Sequence, residues 1–207
     1  MSAPRIDVSL DNNLTAVAGM SRSGKSAFVK RDMGKPARAL FWDPDAEYVE
    51  AGISTPVYDR RALLEVVTHR KAGRFSYVSP VNTDEFNFWS LAALHWGHCT
   101  AVAEETSDVT HPGKAPTYWG QLVRRGAKRG IAVYAVTQFP GESDKTIWRN
   151  ARRVVCFQLE GADRAYMAKR LGVQVERFPS EKFHYLTLDR HAPEAQRVTL
   201  ARLTFRK

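Results

Sequence analysis

Cysteine is scarce in this chain: two residues, Cys99 and Cys156, among 207. Two thiols set in apolar runs cannot build a disulfide framework, and they point to a reducing, cytoplasmic setting. Long hydrophobic runs are missing as well. None approaches the roughly 18–20 residues that a membrane-crossing helix needs. The opening segment Met1–Asp7 lacks the basic-then-apolar order of a secretory signal. The expectation is a cytoplasmic protein without a transmembrane segment, able to dock on a membrane-associated partner. Internal repeats and low-complexity tracts are absent. Acidic residues are outnumbered, with 22 Asp and Glu against 31 Lys and Arg, a formal net charge of +9. That imbalance favours a polyanionic partner, nucleic acid ahead of a membrane surface, over a merely basic exterior.

What is present is enough apolar material, 43% of residues, to exclude wholesale disorder. The length suits one domain over 1–207, with a core over about 14–172 and C-terminal strands over about 183–205. Short apolar runs alternate with helix-like stretches, which predicts an α/β domain with a mainly parallel sheet flanked by helices. Strands are expected at Leu14–Ala18, Ala39–Trp42, Phe75–Val78, Thr100–Ala103, Ile131–Val136 and Val154–Leu159. Helices are expected at Lys25–Asp32, Arg61–Arg70, Asn82–Trp96, Tyr118–Lys128 and Ala162–Leu171. Thr106–Pro116, rich in small polar residues, glycine and proline, reads as a loop. Phe183–Leu188 and Arg197–Phe205 read as a small C-terminal β appendage, a hairpin or a sheet edge.

The most specific motif follows the first strand. Gly19-Met20-Ser21-Arg22-Ser23-Gly24-Lys25-Ser26 fits G-x-x-x-x-G-K-[ST] at every fixed position and opens a helix that begins Lys25-Ser26-Ala27. Glycines let the backbone curl so that successive amides face phosphate oxygens, and the helix N-terminus adds partial positive charge. Lys25 is placed to reach the terminal phosphates, and the Ser26 hydroxyl to ligate Mg²⁺. The expected ligand is ATP with Mg²⁺.

Such a loop needs an acid at a second strand end. Thr100-Ala-Val-Ala103 delivers Glu104 and Glu105. Adjacent side chains on a strand diverge, which suits Glu104 supporting the metal and Glu105 polarising the attacking water. The usual first acid is Asp, so Glu104 is a departure. Asp43, which also follows a strand, is assigned a neighbouring or structural role; Asp189 has less support. The strand Ile131–Val136 ends at Thr137-Gln138, where an amide can sense a γ-phosphate. Around it lie Arg124, Arg125, Lys128, Arg129, Arg149, Arg152 and Arg153. Three uses compete for these cations: an arginine finger for a neighbouring subunit, contact with a nucleic-acid backbone, or a solvated face. Lys114 in the 106–116 loop is a further DNA-contact candidate.

Four segments together carry a family resemblance: Gly19–Ser26, Asp43-Pro-Asp-Ala-Glu-Tyr48, Ala101–Glu105, and Arg125-Gly-Ala-Lys-Arg-Gly130 leading into Thr137-Gln-Phe-Pro140. In this order they resemble the FtsK–HerA superfamily of DNA-translocating ATPases. The small genome-packaging ATPases of tailless, membrane-containing viruses are the most similar in size and layout. The resemblance spans about Leu14 to Leu159. It implies a RecA-like core of the ASCE type, a ring of subunits, usually hexameric, with double-stranded DNA driven through its pore, and an arginine finger acting between subunits. It also implies docking at a viral capsid vertex or on membrane-associated proteins, in the host cytoplasm or on the virion. Members often carry arginine where Ala127 stands, so Arg125 and Arg129 are the nearest substitutes for the finger. Members also usually have Gln-Arg-Pro where this chain has Gln138-Phe-Pro140. Zot-like phage assembly ATPases are a second resemblance, through the basic stretch, the Thr-Gln end and Asp144-Lys145 with Arg149; they imply action on proteins rather than DNA pumping. His95-x-x-His98-Cys99 has metal-like spacing but no complement of further ligands, and it reads as a helix end leading into a core strand.

Overall fold

The computed structural model describes residues 6–205; the remaining terminal residues, including most of the Met1–Asp7 segment, lie outside it. In chain order the first half runs β1 (Leu14–Ala18), α1 (Lys25–Asp32), β2 (Arg38–Trp42), α2 (Glu47–Glu50), β3 (Thr55–Val57), α3 (Arg60–His69), β4 (Gly73–Tyr77), α4 (Thr83–Trp96) and β5 (Thr100–Ala103). The second half runs α5 (Thr106–Val109), α6 (Thr117–Arg125), β6 (Ala132–Thr137), α7 (Lys145–Asn150), β7 (Arg153–Cys156), α8 (Gly161–Leu171), β8 (His184–Asp189) and β9 (Val198–Arg202).

All nine strands share one sheet in the order β3-β4-β2-β5-β6-β1-β7-β8-β9. The first seven in that order pair in parallel, and β7-β8 and β8-β9 pair antiparallel. β1, β5 and β7 are short apolar runs because both faces of a parallel sheet are covered and every inward position must be dry. One face packs Trp42, Phe86, Trp89 and Trp119, with Phe86 centred 4.9 Å from Trp119 and 5.3 Å from Trp42. The opposite face packs Phe28, Phe157 and Tyr185 under α1. Each such ring contributes on the order of 1.5–3 kcal/mol by leaving water. Helix starts are set by side chains: Asp59 accepts from the Ala62 amide, Asn82 from Glu85 and Asp144 from Thr146. No helix among the described residues is long and apolar enough to cross a membrane.

Three expectations change. The 106–116 stretch is not all loop: Thr106–Val109 forms a helical turn because the Thr106 hydroxyl, fully buried, donates to the Val136 carbonyl, and Thr110 donates back to the Thr106 carbonyl. The helix expected over Tyr118–Lys128 ends at Arg125, and Ala127–Arg129 tightens into a 3₁₀ turn closed by Gly130 in the left-handed region. The strand expected to reach Leu159 stops at Cys156. The C-terminal strands are the antiparallel edge of the main sheet. Elements of three to six residues, namely α2, β3 and α7, were too short to produce a periodic signal.

Candidate active site

The order β5-β6-β1 decides the site. Parallel strands present their C-terminal ends together, so the loop after β1, the acids after β5 and the amide after β6 converge on one edge. The loop is pinned at its root: the Gly19 amide donates to the Thr137 carbonyl at 3.3 Å and the Met20 amide to the Gln158 carbonyl at 2.9 Å. Arg22 and Gly24 take positive φ values of 59° and 116°, which turn the intervening amides toward the concave side. Gly19 is sterically required. A Cβ there would lie 2.6 Å from Phe157 Cβ and 2.7 Å from Ser23 Oγ. Lys25, a residue 6% exposed, donates from its ammonium to the Met20 carbonyl at 3.1 Å and folds across the loop.

Two observations fit this coil to an anion. The Ser23 hydroxyl is buried without a hydrogen-bond partner. The α1 N-terminus has neither a side-chain cap nor an acid in its first turn, so its amides and dipole face the coil uncompensated. Burial lowers the pKa of Lys25, and the carboxylates of Glu105, Glu104 and Glu47 oppose that fall in this order. Lys25 therefore lies in the field of both acids after β5. The partly exposed Ser26 opens α1 beside the coil.

The two acids differ sharply. Glu104 is 6% exposed, accepts from the Tyr48 hydroxyl at 2.5 Å, and is pushed by burial up to a pKa of about 8. Burial thus favours its protonated form. Glu105 sits in the left-handed region at φ 43° and ψ 55°, a strained conformation for a residue with a Cβ, and its Oε1 accepts from Gln138 Nε2 at 2.7 Å. Asp43 takes the structural role: its carboxylate accepts from the Glu47 and Tyr48 amides and from the Ser76 hydroxyl. It thereby sets the α2 turn that aims Tyr48 at Glu104. Tyr48 was missed as a site residue, although its signal stood in the Asp43–Tyr48 segment.

The basic candidates do not join this site. Arg125, Lys128 and Arg129 precede β6 and lie at the sheet's other end, about 20 Å away by strand length. Arg129 there donates to the Leu94 carbonyl at 3.3 Å. Arg152 pairs with Asp189 at 3.7 Å, and Arg153 pairs with Asp32 and covers Phe28. Arg124, Arg149 and Lys114 are exposed, on α6, on α7 and in the loop before α6. Cys99 is buried, and burial lifts its thiol pKa to about 12. Among the described residues no group of three His, Cys, Asp or Glu could hold a metal by itself.

No family model matches the chain. It is 32% identical over 216 aligned residues to protein P9 of Pseudoalteromonas phage PM2, covering 98% of this chain and 95% of that protein. The genome packaging NTPase B204 of Sulfolobus turreted icosahedral virus 2, solved with AMPPCP, superposes with a TM-score of 0.75 at 15% identity, covering 94% of this chain and 99% of that one. The N-terminal domain of zonular occludens toxin from Neisseria meningitidis superposes with a TM-score of 0.53 at 14% identity, covering 100% and 96%. These structural likenesses show a shared P-loop NTPase fold.

Proposed function

The chain belongs to the family of protein P9 of Pseudoalteromonas phage PM2, and from that membership and the site's geometry we propose that it is an ATPase that drives double-stranded DNA into a preformed viral capsid. The observation that carries the reading is the convergence of a phosphate-cradling coil at Gly19–Ala27 with the Glu105–Gln138 pair one strand beyond. The full-length likeness to B204, described as a genome packaging NTPase, favours packaging as the task.

ATP with Mg²⁺ supplies the anhydride whose hydrolysis provides the driving force. Lys25 leaves the Met20 carbonyl to meet the terminal phosphates, and the amides of residues 20–27 take their oxygens. Ser26 would hold Mg²⁺, with Glu104 as the nearby carboxylate once it loses its proton; an ion that keeps most of its waters needs few protein ligands. Glu105 orients the attacking water and accepts its proton. Gln138, bonded to Glu105 before nucleotide binds, exchanges that bond for one to the γ-phosphate and so transmits its presence to the loop after β6.

A ring of subunits, with six the expected number, would place Arg125 or Arg129 of one copy at a neighbour's site, because neither reaches its own. The ring would sit at a capsid vertex or on a membrane-associated protein, in the host cytoplasm or on the virion. The likeness to the zonular occludens toxin domain favours a second reading, an assembly ATPase acting on proteins. ATP turnover measured with and without long duplex DNA separates the two. The packaging reading expects stimulation that fades as salt rises. No response to DNA, with capture of a membrane protein, would favour assembly.

A further inference from the structure

Away from the nucleotide edge, on the sheet face that carries α4 and α6, the α7–α8 pair encloses an open cavity of about 600 Å³. Its wall carries five cations: Lys145 and Arg149 one turn apart on α7, Lys169 and Arg170 on α8, and Arg190 after β8. Trp148 and Tyr166 complete the lining, and no carboxylate contributes. None of the five takes part in an ion pair among the described residues. The contrast with Arg152 and Arg153, both matched to aspartates, is direct.

Two polar atoms of its lining residues are also left unpaired beneath the surface. Arg170 Nε and the Tyr166 hydroxyl are buried atoms without hydrogen-bond partners. Arg190 donates to the Trp148 and Ala151 carbonyls, and Arg170 to the Lys145 carbonyl. These bonds fix the two guanidinium groups to the backbone and leave their charge uncompensated. Burial and the facing Arg170 hold the Arg190 pKa down. Five like charges gathered from three elements repel one another, and a fold keeps such an arrangement at a cost that a bound polyanion removes.

We propose that the α7–α8 groove is a docking site for the phosphate backbone of duplex DNA. The inference rests on the DNA-moving reading above and gives it a contact surface that differs from most of the cations singled out in the sequence. The groove is open and polycationic, which suits a diester backbone, and the buried Trp148 offers no ring face for bases to stack on. α7 begins seven residues after Gln138 and is tied through Asp144 to Thr110 and Trp119. A shift of the Gln138 loop on γ-phosphate loss therefore has a short mechanical route to the groove.

The test is the combined variant Lys145→Ala, Arg149→Ala and Lys169→Ala, all three exposed and outside the core. Fluorescence anisotropy with a labelled 30-base-pair duplex, titrated between about 50 and 200 mM salt, reads the number of phosphates neutralised. Three lost contacts should lower the slope of log affinity against log salt by about 2.7. Unchanged affinity and slope in a variant with the wild-type melting curve would overturn the proposal. So would unchanged DNA binding with an altered oligomeric mass or a lost affinity for polyglutamate, which would mark a subunit or protein interface. Wild-type protein that hydrolyses ATP but binds no duplex at all would remove the DNA-moving reading itself.

Discussion

Gln138 at the end of β6, next to the strand that carries the phosphate coil, donates across 2.7 Å to Glu105 at the end of β5, one strand further out. The bond restrains a carboxylate whose backbone sits in the left-handed region. It occupies one of the two N–H donors of the amide and leaves the other for a further acceptor. General-base catalysis is worth about 10²–10⁴-fold. Glu105→Gln should therefore lower kcat by at least about 100-fold while ATP binding, followed by a fluorescent analogue, persists. Gln138→Ala should leave analogue binding intact and uncouple turnover from DNA. Retained wild-type turnover in Glu105→Gln would remove the residue from the chemistry.

Glu104 predicts a pH dependence of stability. Its folded pKa of about 8 lies above the ordinary 4.5, so the folded state holds a proton that the unfolded state releases between those values. The contribution is complete below about pH 4.5 and is lost as pH rises to about 8 and beyond. Nucleotide-free protein should thus lose urea resistance between pH 5 and pH 8.5 more steeply than Glu104→Gln does. Equal slopes in the two proteins would contradict the assignment. Tyr48→Phe removes the hydrogen bond that holds this pKa down and should push the transition to higher pH.

Gly19→Ala tests the steric fit of the coil. The added methyl would meet Phe157 and Ser23 at less than 3 Å, and neither can withdraw without moving β7 or the loop. Overpacking of this kind costs about 1–3 kcal/mol. A domain of this size then melts some 2–4 °C lower per kcal/mol. Calorimetry should show the drop together with loss of nucleotide-dependent stabilisation.

Arg153→Ala separates structure from recognition. The side chain is committed to Asp32, Thr15 and the Phe28 ring, so duplex affinity and its salt slope should stay at wild-type values. The loss should appear as about 0.5–1 kcal/mol in denaturant unfolding, the scale of a partly exposed pair. A reduced salt slope would return Arg153 to the DNA-contact surface.

The parts of this protein legible in its sequence are those set by local rules. Gly19–Ser26 could be read because only glycine accepts the φ and the close approach the coil demands at those spacings. The parallel sheet could be read because strands buried on both faces must be apolar throughout. Glu105 and Gln138 could be placed at ligand-facing strand ends, although their mutual bond could not. Tertiary structure alone decided what depends on distant partners. Glu104 became an acid with a raised pKa because folding buries it at the end of β5, and Tyr48, 56 positions away, partly offsets that rise by donating to it. Arg152 and Arg153, DNA-contact candidates in the sequence, came to lie beside Asp189 and Asp32 only because packing set those aspartates there. Lys145, Arg149, Lys169, Arg170 and Arg190 became one surface because α7, α8 and the end of β8 meet. Charge carries no local periodicity; whether a cation ends paired or free is settled only when helices and strands far apart in the chain are brought together.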